Sequence, residues 1–167
     1  MARVSPKHPS YRTKEEIVRD LTYVLNAPVS LGTKIAVINN AAWVWTEFDG
    51  KYEGCRYWSA LAMMARKADR NFKLIHEHVV PRDVIRKLLL ELNPATDLKV
   101  SDVCNRFLIG VVVTEAEDSL LNALFSKTMP TEFWDATHPS FQDPWLRYKR
   151  FPIIMVTDRD TLSGQSG

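Results

Sequence analysis

Glycine is scarce in this chain, and its scarcity removes a group of functions. Only six occur among 167 residues. None stands in a GxGxxG or P-loop spacing, so the common backbone cradles for nucleotide phosphates are missing. No GxSxG elbow is present for a serine nucleophile. Cysteine is nearly absent too: Cys55 and Cys104 each lack a CxxC neighbour, which removes a thiolate zinc site. Residues 1 to 10 hold no apolar stretch of the secretory kind, so the expectation is reduced thiols in a cytoplasmic protein. The longest apolar runs, 107–113 and 153–156, fall far short of the roughly 20 residues a membrane helix needs, and no membrane partner is expected. Nor does one charge dominate. With 22 basic and 20 acidic residues the net charge is +2, too little to argue for nucleic acid by itself.

What is present is the composition of a folded domain, 46% hydrophobic and 25% charged. The expected organisation is a flexible arm over residues 1–12, a single globular domain over 13–157 and a flexible tail over 158–167. Thr13-Lys14-Glu15-Glu16 is a capping box, followed by Ile17, Leu21, Val24 and Leu25 on one helical face and stopped at Asn26-Ala27-Pro28. Ile35, Ile38, Ala42 and Trp45 repeat the spacing, with Asp49-Gly50 as an exit; the alternative for residues 43–48 is a strand, since Trp, Val and Phe favour pleated surfaces, but the helix is preferred. A third helix is expected over 56–69 with Tyr57, Leu61 and Met64 inward. A fourth starts with Pro81 at its first position and runs through Val84, Ile85, Leu88, Leu89 and Leu92 to Asn93-Pro94. A short helix over 101–106 precedes a β-branched run, 107–114, which reads as a buried strand. Thr114-Glu115-Ala116-Glu117 is a second capping box, opening a helix through Leu120, Leu121 and Leu124. Residues 153–157 form a second strand that can pair with the first. The fold class is therefore α+β, a mainly helical single domain with a small sheet or ribbon.

The densest chemistry is His76-Glu77-His78, ahead of Val79-Val80-Pro81. In an extended segment the two imidazoles share a face and Glu77 takes the other. Imidazoles at this spacing can share a metal ion, or one can act as base while the other ligates. The alternative is structural: histidines hydrogen-bonded to backbone, with Glu77 neutralising a nearby cation.

His76-Glu77-His78-Val79-Val80-Pro81 resembles the opening of the HNH endonuclease motif, an acidic residue and a histidine followed by two apolar residues and a proline. The resemblance implies His78 as the base that activates water, Glu77 as a metal ligand, Asn93 as the orienting asparagine and Asp102 as the closing ligand. His76 is an additional ligand candidate. The implied reaction is hydrolysis of a phosphodiester with one divalent ion, Mg²⁺ or Mn²⁺, with Zn²⁺ as a further choice. The likeness departs from the family in lacking the closing histidine and in placing a leucine-rich helix after the base.

Arg66, Lys67, Arg70 and Lys73 form a basic stretch suited to phosphate backbones, or to an ordinary solvated helix face. Trp43, Trp45, Tyr52, Tyr57 and Trp58 fall close together, and Trp43 and Tyr52 are the candidates for exposure to a partner. Asp135, His138 and Asp143 read as a surface loop packed by Trp134 and Trp145. Two functions follow. One is a metal-dependent, HNH-like nuclease or a degenerate relative. The other is a non-enzymatic inhibitor or adaptor, of the kind mobile elements encode, that binds protein or nucleic acid and needs no cofactor.

Overall fold

The computed structural model describes residues 12–48 and 52–157, without the side chain of Glu53. The expected arm over 1–11, the tail over 158–167 and the Asp49-Gly50 exit lie outside the described residues. Arg12, assigned to the arm, reaches Asp20 at 3.4 Å and donates to Asn40.

Both capping boxes form. In the first, Thr13 Oγ1 accepts from the Glu16 amide at 3.2 Å while the Thr13 amide donates to Glu16 Oε2 at 2.7 Å, opening α1 (Lys14–Asn26). Ser30 caps α2 (Leu31–Thr46). The expected third helix is shorter than its apolar spacing suggests. Residues 57–59 are instead β1 (Tyr57–Ser59), and α3 (Ala60–Ala68) begins behind the cap of Ser59. β2 (Leu74–His78) carries the histidines, and Pro81 is the cap of α4 (Arg82–Leu90) rather than its first residue. Thr96 caps α5 (Asp97–Phe107), which starts earlier than expected and takes Phe107 out of the following strand. β3 (Gly110–Thr114) leads through the second capping box into α6 (Glu115–Phe125). A loop carries the chain to α7 (Leu146–Lys149) and β4 (Met155–Thr157).

The molecule is an α+β domain in which helices pack beside a mixed sheet. α1, α2, α4 and α5 bury Ile17, Leu21, Ile38, Trp45, Ile85, Leu89, Val100 and Phe107 in the largest core, joined by Phe133 from the long loop. The sheet has the order β2-β3-β1-β4, with β1 and β3 parallel and the outer pairs antiparallel. Two strands are read from the sequence; among the described residues four form, and β4 pairs with β1 instead of β3. Three-residue strands such as β1 carry too little alternation to stand out in a sequence. One sheet face buries Trp58, Leu74 and Val112 under Cys55 and Ala62 of α3. The other buries Val79, Val111 and Val113 against Leu121 of α6 and Tyr148 of α7. No described helix is long and apolar enough to cross a membrane.

Candidate functional site

β2 is extended as the histidine spacing requires, and its register with β3 sets each side chain's surroundings. His76 stands opposite Val112 and His78 opposite Gly110, so both imidazoles lie on the face that meets the end of α2. Gly110 makes that fit. A Cβ there would overlap His76 Nε2 and come within 3.2 Å of the Thr46 carbonyl oxygen. His76 is half-buried, its ring centroid 6.4 Å from that of Tyr52.

His78 is 7% exposed, and its ring centroid lies 6.0 Å from that of Trp43. Burial pulls its pKa down to about 4, against a hydrogen bond from the ring to the Ala42 backbone, which favours the charged form. The charges of Arg82 and Arg147 lower it further. The imidazole is neutral at physiological pH, and its Nε2 is buried with no hydrogen-bond partner.

Glu77 points the other way and is already engaged. Its Oε1 accepts from Arg147, a guanidinium with no exposed surface, and its Oε2 accepts from the His78 amide. Arg147 also donates Nε–H to the Val79 carbonyl at 2.8 Å, an Nη1–H to Phe125 at 3.3 Å and an Nη2–H to the His78 carbonyl. This one side chain ties α7 to the β2–α4 junction and to the last carbonyl of α6. Beside it, the Tyr148 hydroxyl is buried without a partner; burial, then the charge of Glu77, raises its pKa well above the usual phenol value. Asp118 is raised by partial burial and by Glu77.

No family model, curated protein or solved structure matches this chain. The site therefore rests on its own geometry. Glu77 and the histidines occupy opposite sheet faces. Asn93 is exposed beyond the far end of α4, about 13 Å of helix from Pro81. Asp102 is exposed on α5, 4.0 Å from Arg106. These residues do not fit a shared divalent ion, and among the described residues no group of three or more His, Cys, Asp or Glu side chains is placed to hold one.

Of the basic stretch, Lys67, Arg70 and Lys73 are exposed. Lys73 pairs with Glu115 at 2.8 Å, while Arg66 is half-buried and donates to the Arg70 carbonyl. Trp43 is 38% exposed and Tyr52 half-buried. The loop with Asp135, His138 and Asp143 is held by local bonds, Asp135 accepting from Thr137 and Asp143 from the Trp145 amide.

The feature the sequence reading missed is the orientation of α3. Leu61 and Met64, expected inward, are 56% and 66% exposed, and the buried residue of this helix is Ala62. With Ala68, which is exposed, and Ala65, which is half-buried, they fall at i, i+3, i+4 and i+7 spacing. Ile154 is also exposed, and its carbonyl accepts from the Ala60 amide at 2.8 Å, which sets it beside the first turn. Phe72, in the turn after α3, is exposed as well. The periodicity was visible in the sequence; only its direction was not.

Proposed function

We propose that the protein is a non-enzymatic binding module that takes an acidic, amphipathic segment of a partner protein onto α3. The observation that carries this reading is the outward placing of Leu61, Met64 and Ala68 on α3. A small helix normally turns such a stripe to its own core, and contiguous exposed apolar surface marks interaction sites. Covering what is exposed of Leu61 and Met64 supplies about 1–2 kcal/mol per side chain. Lys67 and Arg70 flank the stripe, exposed and without ion pairs among the described residues, so the complementary partner carries acids beside its apolar anchors. The hydrolytic alternative lacks comparable support, because Glu77 is taken up by Arg147 and His78 is sealed behind Trp43 and α2.

The test is selection from a displayed library of acidic amphipathic helical peptides. Peptides that bind the native chain should lose at least tenfold in affinity to the Leu61→Glu/Met64→Glu variant, and should weaken with added salt. Peptides that bind that double variant equally well would overturn the proposal. Cleavage of DNA or RNA with Mg²⁺ or Mn²⁺ that His78→Ala abolishes would replace it with the nuclease reading.

A further inference from the structure

On another part of the surface, a cleft of about 170 Å³ opens between the start of α1, the end of α2, the start of β1 and the α5–β3 connection. We propose that it binds one phosphate- or sulfate-sized oxyanion between Lys14 and Arg56. Those two are the charged side chains among the described residues that line it, with Asn105 as a polar neighbour and Gly110 and Thr46 in its wall.

Among the described residues, Lys14 and Arg56 form no ion pair and their side chains donate no hydrogen bond, whereas Arg12, Lys73, Arg86, Arg147, Lys149 and Arg150 each meet a carboxylate. Aromatic rings position Lys14 and Arg56 instead. Lys14 Nζ lies 5.0 Å from the Trp45 ring centroid and 5.5 Å from that of Phe48, and the Arg56 guanidinium lies 5.2 Å from the Tyr57 ring. Ring contacts hold a cation without consuming its N–H donors, so those donors remain for a ligand. Asn105 uses one amide N–H on Ser101 Oγ at 3.1 Å and keeps the second.

The cleft's volume equals that of roughly six waters at about 30 Å³ each, enough to admit a tetrahedral oxyanion, and its open side leaves room for the rest of a monoester. A phosphoryl group suits the planar fork of Arg56 and the point charge of Lys14, as a free ion or as the monoester of a small molecule.

Isothermal titration calorimetry of the full chain at low ionic strength, with sodium phosphate, sodium sulfate and O-phosphoserine in turn, decides the matter. Saturable one-to-one binding is expected, weakened about tenfold or more by Arg56→Gln and by Lys14→Met, and unchanged by Lys127→Gln. Phosphoserine bound as tightly as phosphate assigns the site to monoesters; binding of the inorganic ions alone assigns it to the free anion. Arg56 is exposed, so its variant retains the fold even if Lys14→Met does not. No saturable heat from any of the three, or binding that survives in folded Arg56→Gln, overturns the assignment. The α3 surface takes no part in this measurement.

Discussion

His78 and Arg147 show how burial fixes what a polar residue can do. An imidazole whose folded pKa is about 4, against 6.5 in the open chain, is protonated first in the unfolded state as pH falls. Its contribution to stability is complete above pH 6.5 and is lost progressively between 6.5 and 4. Urea unfolding at pH 7 and pH 5 should therefore differ by about 2 kcal/mol from this group. His78→Leu should flatten that difference, and an equal slope in the variant would assign it to other groups. Arg147 presents the opposite case, a fully buried charge with nearly all its donors occupied. Arg147→Leu strands Glu77 and the carbonyls of His78, Val79 and Phe125, and should cost about 3–5 kcal/mol of unfolding free energy, read from urea denaturation.

At the scale of elements, two helices share one cap. Ser59 Oγ accepts from the Ala62 amide to start α3 and donates to Glu117 Oε2 at 2.6 Å, while the same carboxylate accepts from the Thr114 amide and hydroxyl to start α6. Both parallel strands thus end at one buried carboxylate. Ser59→Ala should destabilise by about 1–2 kcal/mol, and a double-mutant cycle with Thr114→Ala should show coupling of at least about 0.5 kcal/mol. Additive losses would mean the caps act separately. Gly110→Ala tests the neighbouring strand. Its methyl would overlap the His76 ring nitrogen and crowd the Thr46 carbonyl oxygen. A loss of about 1–3 kcal/mol is expected from thermal unfolding.

For the whole molecule, the consequence is a separation of binding surface from core. Leu61→Glu and Met64→Glu should each change unfolding free energy by no more than about 0.5 kcal/mol, since neither side chain is buried. Cys104 lies in the helical core, where burial pushes its thiol up to about 12, so it should react with thiol reagents only on global unfolding. Rapid modification of the native chain would show that this core opens locally.

Both capping boxes, the apolar faces of α1, α2 and α4, and the extended His-Glu-His segment were fixed by local chemistry, because a cap or a 3.6-residue period needs no distant partner. The likeness of residues 76–81 to a nuclease motif was equally local. Whether those side chains meet depends on elements that converge from far along the chain: Arg147 on Glu77, Trp43 and Ala42 on His78, and Gly110 beneath His76. The direction of α3 was decided in the same way. An apolar stripe records that one helical face differs from the other, but it is the sheet residues Trp58, Leu74 and Val112, packed with Ala62, that turn the opposite face inward and leave Leu61 and Met64 in water.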